Sequence, residues 1–397
     1  MIFDNLKCYD NAVLLSSLEQ ATVQCAKGLT YKSSVAGYLL DSLCKNSKLR
    51  EELLSGRYNI SPYYEFTIFE PKVREICATR YRDRVWQKSM CNNGLREDLL
   101  GPLIYDNGAC QKNKGVDFAI DRVIMFLQEY YRKHKSNEGR YDHLDVKGYF
   151  PNTPHSVSKD VVDKYVRDEK FREHIHMIID SFVDKRPEDE IAADAFGERG
   201  TALGSEISQL IQLAIPNHID HTVKEKFGIR AYVRFNDDIL IISDSSEQLA
   251  EVRKYITDEY AKLGLQITRK QSNAKIGHGI KFLKRRIILT DSGKVIVKPL
   301  KERFAKERRT LRKMKAKLDA GEIDMAAIER HYLSTRGGLA RCDAKVEVKN
   351  LDKFYTELFG VPPKVQNNRR KKKNAYSKSK QSNREKRGKS GKSANGK

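Results

Sequence analysis

The chain has 397 residues, formal net charge +22, 39% hydrophobic residues and seven cysteines. That is long enough for two or three domains with a sizeable core, and it is not the composition of a disordered or collagen-like chain. An odd set of thiols with no Cys-x-x-Cys pair and no His at finger-like spacing argues against a zinc module or a disulfide framework and for reduced thiols.

Residues 1 to about 60 read as helical, with apolar residues at helical spacing in Val35-Ala-Gly-Tyr-Leu-Leu-Asp-Ser-Leu43. Tyr63-Tyr-Glu-Phe-Thr-Ile-Phe69 alternates and is rich in aromatics, so a strand is expected there. Glu70-Pro-Lys would turn it into a partner beginning at Val73. Asp83 to Leu100 and Asp117 to Arg132 read as helices, and His143 to Lys147 as a short strand running into a Pro151-Asn-Thr-Pro turn. A helical region and a glycine-rich loop, Gly197 to Gly204, follow. Ser208 to Phe227 has the length of a buried helix that Pro216 should kink.

Ile229 to Phe235 and Ile239 to Ile242 predict a hairpin turning at Asn236-Asp-Asp238, with two carboxylates at its tip. Glu247 to Leu263 predicts a helix, and Gly264 to Lys270 a strand. Ile280 to Leu289 and Lys294 to Val297 predict a second hairpin, and Leu300 to Leu318 and Met325 to Arg336 further helices.

Charge is concentrated. From Lys301 to Lys317 there are nine Lys and Arg against two Glu, and from Lys364 to Lys397 fourteen against Glu385 alone. Two such runs favour polyanion binding by discrete surfaces over a uniformly basic body, although a solvated face is the alternative for either run. The second run has too few apolar residues to offset the entropy of ordering. No apolar run approaches the ~20 residues of a membrane span, and the N-terminus has no signal-peptide core, so a cytoplasmic protein is expected.

Two adjacent carboxylates at a hairpin tip are costly unless something positive sits there. Asp145 ends a separate short strand, and three carboxylates converging from neighbouring strands are what two Mg²⁺ ions need for in-line phosphoryl transfer. Taken alone, the Asp-Asp pair would be read as a solvated turn.

The order of segments resembles the successive motifs of reverse transcriptases. Asp145-Val-Lys-Gly-Tyr-Phe150, Gly200-Thr-Ala-Leu-Gly-Ser-Glu-Ile-Ser-Gln209 and Phe235-Asn-Asp-Asp238 look like palm motifs. Arg74-Glu-Ile-Cys-Ala-Thr-Arg-Tyr-Arg-Asp-Arg84 resembles the finger motif of the bacterial enzymes, and Leu263-Gly-Leu-Gln-Ile-Thr-Arg-Lys270 the fourth palm motif. Phe282-Leu283 resembles a primer-grip hairpin in which Lys284 replaces glycine. The likeness runs from about Tyr63 to Leu339. It implies an α+β right-hand polymerase: an N-terminal helical extension (1–62), fingers (63–144), palm (145–298), helical thumb (299–363) and basic disordered tail (364–397).

The resemblance also implies roles. Asp145, Asp237 and Asp238 would be catalytic and would hold two Mg²⁺ (or Mn²⁺) ions, with Val146 completing the metal set. Arg74 would hold the incoming triphosphate through its rigid donor fork. Phe150 would exclude a 2′ hydroxyl, Gly204 and Gln209 (with Gly200 and Ser208) would line the nascent base pair, and Lys270 would donate a proton to pyrophosphate. Arg84, Lys301, Arg308, Arg309, Arg312 and Lys313 would grip nucleic acid through phosphates. Leu203-Gly204 and Ser208-Gln209, where many relatives have Gln-Gly and Ser-Pro, resemble enzymes of diversity-generating retroelements, which miscopy adenines. Such enzymes are related to those of group II introns and of phage defence; a defence reverse transcriptase whose cDNA product is the effector is the alternative, as is an inactive RNA-binding polymerase fold. The implied partners are an RNA template, a DNA primer or product and dNTPs, with a structured non-coding RNA and possibly an accessory protein. Phe235 stands where tyrosine is usual, which keeps a flat aromatic.

Overall fold

In a computed structural model of the chain, residues 8–69, 73–202 and 204–364 are described. The Glu70 turn, Leu203 and the basic tail beyond Lys364 lie outside them. The chain divides into two compact units, one formed by residues 1–283 and 287–296, the other by 284–286 and 297 onward.

The first unit opens with four helices, α1 (Cys8–Ala12), α2 (Leu15–Ala26), α3 (Ser33–Leu39) and α4 (Ser42–Leu54). An antiparallel ribbon of β1 (Tyr64–Ile68) and β2 (Arg74–Ala78) follows, as the alternation predicts. Then come α5 (Tyr81–Met90), α6 (Arg96–Leu100), α7 (Val116–His134), β3 (Arg140–Val146), α8 (Tyr149–Asn152), α9 (His155–Tyr165), α10 (Glu169–Asp180), α11 (Glu188–Ala193), α12 (Glu206–Ala214) and α13 (Asn217–Glu225). The hairpin β4 (Tyr232–Phe235) and β5 (Asp238–Ser243), α14 (Ser246–Lys262) and β6 (Ile267–Lys275) complete an antiparallel sheet of order β4-β5-β3-β6. A three-stranded sheet, β7 (Ile280–Phe282), β8 (Arg285–Leu289) and β9 (Val295–Pro299), comes next in the chain. The second unit carries α15 (Lys301–Asp319), α16 (Met325–Leu339) and α17 (Lys345–Phe359). The architecture is α+β.

The helix starts have local causes. Ser205 caps α12 by accepting from Ser208 N, Ser245 caps α14 by accepting from Gln248 N, and Asp324 caps α16 by accepting from Ala327 N. Pro216 does more than kink its helix: α12 ends at Ala214 and α13 restarts at Asn217, because proline has no N–H and crowds the preceding turn.

Several boundaries differ from expectation. Pro151 lies inside the single-turn helix α8 rather than in an open turn, since the first turn of a helix has no need of its N–H. The strand expected from Ile229 begins at Tyr232, and β6 continues five residues past Lys270 because β3 pairs with it as far as Arg140↔Lys275. The same long β3 crosses the expected finger–palm boundary at 145. Ile280 to Leu289 is two strands, broken at Leu283 (φ 46°) and Lys284 (φ 60°). Lys284 thus holds a left-handed conformation that a glycine would adopt freely. Helix α17 was not anticipated; it closes a small core of Leu311, Ile328, Tyr332, Leu351 and Tyr355 in the second unit.

Because side chains alternate along a strand, the four-stranded sheet has two distinct faces. One carries Leu144, Val146, Tyr232, Ile239 and Ile241, buried against Ile219 and Val223 of α13 and Leu249, Val252, Ile256 and Tyr260 of α14. A second core, around the fully buried Trp86, joins α1–α6 to α9, α10 and α12. With one sheet face sealed by helices, the opposite face is left to carry Asp145 and Asp238.

Candidate active site

In the β3–β5 ladder Asp145 stands directly opposite Asp238, and His143 opposite Leu240. Opposed residues share a face, so both carboxylates and His143 project from the side away from α13 and α14. Asp237 lies in the two-residue turn between β4 and β5, where Asn236 takes φ 53°, a conformation asparagine tolerates. Asp237 O accepts from Val146 N at 3.2 Å, tying the turn to the end of β3. Among the described residues, Asp145, Asp237 and Asp238 form the group able to hold a metal ion, with one carboxylate oxygen from each within 4.8 Å of the others.

The stem of the hairpin is clamped from below. Arg234 and Asp220 are fully buried and joined at 2.7 Å; Asp220 also accepts from Tyr232 Oη at 2.6 Å, and Arg234 Nη2 donates to Leu213 O at 2.6 Å. Arg234 N donates to Asp106 O, and Gly108 N to Arg234 O, which brings the 106–108 loop onto the outer edge of β4. A turn carrying two like charges is thus held by a rigid, fully hydrogen-bonded base.

The three acids differ electrostatically. Burial raises the Asp237 carboxyl above its ordinary range, and the charges of Asp238 and Asp145 push the same way. For Asp238 burial also raises the pKa, but hydrogen bonds from His143 and Lys270 outweigh it and the net shift is downward. His143 Nε2 donates to Asp238 Oδ1 at 2.9 Å, while its ring packs edge-on against Phe282. Lys270 Nζ lies 2.6 Å from both Asp145 Oδ1 and Asp238 Oδ1. Thr268 Oγ1 donates to Asp145 O at 3.1 Å.

The position of Lys270 comes from a register shift. Leu144 pairs with Arg269 but His143 pairs with Gln271, so Lys270 is an extra residue, and the bulge aims its side chain at the acids. The structure therefore brings Lys270 into the carboxylate cluster, where it serves as a built-in counter-cation. Val146 sits at the end of β3, its side chain in the core on the opposite face; only its backbone carbonyl is left to serve as a ligand.

The donor set fits Mg²⁺ or Mn²⁺. Hard carboxylate oxygens, with no thiolate or imidazole in the group, select hard divalent cations, and burial together with the charges of Asp238 and Asp145 makes the Asp237 carboxylate costly without one.

Other expected residues lie at the borders of this region. Phe150 is half-buried in α8, its carbonyl accepting from Thr201 Oγ1 at 3.4 Å. The glycine-rich loop pairs with that turn: Gly200 N donates to Thr153 O at 2.8 Å, His155 N to Glu198 O at 2.9 Å, and Arg199 Nη1 to Asn152 O at 2.9 Å. Gln212, buried in α12, donates to Thr153 Oγ1 at 2.8 Å and to Thr201 Oγ1 at 3.3 Å, locking loop and turn together. Gly204 takes φ 124°, and a Cβ there would sit 3.7 Å from Ile76 of β2. Arg74 is exposed at the start of β2. Gln209 is half-buried and accepts from Cys110 Sγ at 3.6 Å, and Ser208 is buried.

Arg84 lines a cavity of about 300 Å³ with Lys88, Gln24 and Gly204. Lys301, Arg308, Arg309, Arg312 and Lys313 are all exposed on α15, in the second unit. None of the seven cysteines is in a disulfide, and no helix among the described residues is long and apolar enough to cross a membrane.

Sequence reasoning missed His143, Thr268, Gln212 and the Arg234–Asp220 pair. For His143 a signal existed: it lies two residues before Asp145, hence on the same strand face.

No family model matches the sequence, and no curated protein resembles it. Among solved structures it is similar to apo telomerase from Candida Tropicalis truncated from its C-terminal domain (13% identity, TM-score 0.42, 64% of this chain and 60% of that one). It is also similar to telomerase from Candida albicans in complex with a fragment of telomeric RNA (10%, 0.41, 82% and 66%). A third is the Sicinivirus 3Dpol RNA-dependent RNA polymerase (12%, 0.40, 66% and 58%). The chain thus spans about three fifths of the first of these, and at such scores the likeness assigns no family.

Proposed function

We propose that the chain is an RNA-directed DNA polymerase that extends a primer by two-metal nucleotidyl transfer. The observation that carries this reading is the convergence of Asp145, Asp237 and Asp238 on the sheet face away from α13 and α14, from two adjacent strands and the turn beside them.

Metal ions bound there would supply Lewis acidity to the attacking 3′ hydroxyl and charge neutralisation to the leaving pyrophosphate. The chain's own groups do the rest. Asp145 and Asp237 offer the ligand oxygens, with Val146 O beside them; His143 fixes the rotamer of Asp238. Lys270, whose Nζ reaches both Asp145 and Asp238, would be the group to donate a proton to pyrophosphate. Phe150, held by the Thr201 loop, is the group against which a 2′ hydroxyl would collide, and Arg74, exposed at the start of β2, would offer its donor fork to a triphosphate.

Within this class we favour the enzyme of a diversity-generating retroelement, on the form of residues 203–209; a phage-defence reverse transcriptase is the alternative. A non-catalytic RNA-binding role is disfavoured by the retention of all three acids.

Primer extension with Mg²⁺ on an RNA template tests the activity. Wild type should make cDNA and Asp145→Ala should make none while still binding RNA; extension by the variant at the wild-type rate overturns the mechanism. Sequencing the cDNA opposite template adenines separates the mutagenic reading from a faithful polymerase.

A further inference from the structure

Around the α8 turn lies a set of polar side chains shut away from water: Thr153, Gln212 and Thr201 are 0%, 1% and 6% exposed. Buried polar groups are costly unless each finds a partner, and here the donors and acceptors can be matched one by one. The Gln212 amide nitrogen carries two N–H groups. It gives one to Thr153 Oγ1 at 2.8 Å and the other to Thr201 Oγ1 at 3.3 Å. Each hydroxyl, having accepted, still has one proton to donate. Thr153 Oγ1 lies 2.5 Å from Tyr149 O, closer than its 3.2 Å to Gln212 Oε1, and Thr201 Oγ1 lies 3.4 Å from Phe150 O.

The backbone of Gln212 is tied to the same turn. Helical pairing would bring its carbonyl the N–H of residue 216, but that residue is proline and has none. Tyr149 Oη donates to this oxygen instead, at 2.6 Å. One residue of α12 thus holds Tyr149 directly and reaches the carbonyls of Tyr149 and Phe150 through two threonines. The Tyr149 ring in turn meets the Phe150 ring edge-on, with centroids 6.2 Å apart and planes at 74°. Leu210, Ile211, Leu213 and Ala214 beside Gln212 are all buried and apolar. Packing alone therefore gives no reason for an amide at this position; its hydrogen bonds do.

We infer that Gln212 is a positioning residue for sugar selection, acting through Thr201 and Thr153 to fix the α8 turn and with it the Phe150 ring. This rests on the proposed role of Phe150 against a 2′ hydroxyl. A ring that selects by collision works only if it cannot yield, and the buried network removes the turn's freedom to move. Ser208 and Gln209 sit one turn earlier on the same helix, so a single element sets both the sugar test and the residues expected beside the base pair.

The test is the ratio of kcat/KM for a deoxynucleotide over its ribonucleotide, measured by primer extension on RNA with Mg²⁺. Thr201→Val cannot donate to Phe150 O. It should lower the ratio roughly 10-fold through better ribonucleotide use, given that a displacement of about 1 Å can change a rate ~100-fold. Thr201→Ser, which keeps the hydroxyl, should stay near wild type. Gln212→Met loses both donors and should lower the ratio at least as far; if it does not fold, Thr201→Val decides. With the ring gone in Phe150→Ala, adding Thr201→Val should change the ratio no further, because the two act on one thing.

If Thr201→Val slows both nucleotides equally, leaves the ratio alone and lowers the melting temperature, the network is merely structural and the inference falls. It falls too if the two substitutions lower the ratio independently. Loss of selectivity in Phe150→Ala but not in Thr201→Val would overturn the positioning role and leave the proposed function standing. Unchanged selectivity in Phe150→Ala would refute the role of Phe150 itself, and this inference with it.

Discussion

Asp237→Asn should make the metal-free protein more stable while abolishing synthesis. The three carboxylates offer oxygens within 4.8 Å of one another, and the nearby cations are unequally shared. Lys270 bridges Asp145 and Asp238, and His143 serves Asp238; Asp237 has no such partner. Two unit charges at that separation repel by about 3 kcal/mol at an effective dielectric near 20 and by under about 1 kcal/mol in water. Asp237 faces two such neighbours and gains a weaker attraction from Lys270, so removing its charge should release about 1–3 kcal/mol. Asparagine keeps the amide oxygen that can accept from the residue's own N–H, as the carboxylate does, and so preserves the turn.

For a unit of this size that is a rise of roughly 2–10 °C in melting temperature, read by scanning fluorimetry in EDTA from the transition of the unit that holds the site. Adding Mg²⁺ should stabilise wild type by mass action and the variant much less, narrowing or reversing the gap. Lys270→Ala is the mirror experiment: it takes the lysine from Asp145 and leaves Asp238 with His143 alone, so the same melt in EDTA should move down, by about 1 kcal/mol given the lysine's partial exposure. An Asp237→Asn protein that melts at or below wild type in EDTA would refute the electrostatic account, and one that still extends primers would refute the catalytic one.

Arg234→Met strips the partner from a fully buried carboxylate, and should destabilise by about 3–5 kcal/mol in urea unfolding. A loss under about 1 kcal/mol would mean that Tyr232 Oη alone satisfies Asp220. Phe150→Ala should raise ribonucleotide relative to deoxynucleotide incorporation. Because the ring is half-buried, its stability loss should fall below the ~3–5 kcal/mol of a core phenylalanine; a full core-sized loss with unchanged sugar selectivity would make Phe150 a packing residue.

The sequence by itself determined the features that depend on near neighbours. Alternation over Ile229–Phe235 and the apolar run Ile239–Ile242, with Asn236-Asp between them, specify a hairpin, and hence two acids at a tip, because strand patterning and turn chemistry are local. The β1–β2 ribbon and a disturbance at Pro216 were legible for the same reason, although the structure breaks the helix there where only a kink was expected. So was the α+β class.

Pairing decided the rest. Whether Asp145 lands opposite Asp238 is a matter of register, and a one-residue slip would have sent it to the helix-covered face. Lys270 reaches the acids only because β6 carries an extra residue against His143 and Leu144, an irregularity that nothing in Thr268-Arg-Lys-Gln announces. Arg234 reads locally as a polar residue facing water, yet it is fully buried, because Asp220, fourteen residues away, supplies the charge that makes burial tolerable. Residue type and spacing named the acids; only the tertiary fold could choose their cations, since counter-charges are recruited through space from strands and helices that the local pattern does not connect.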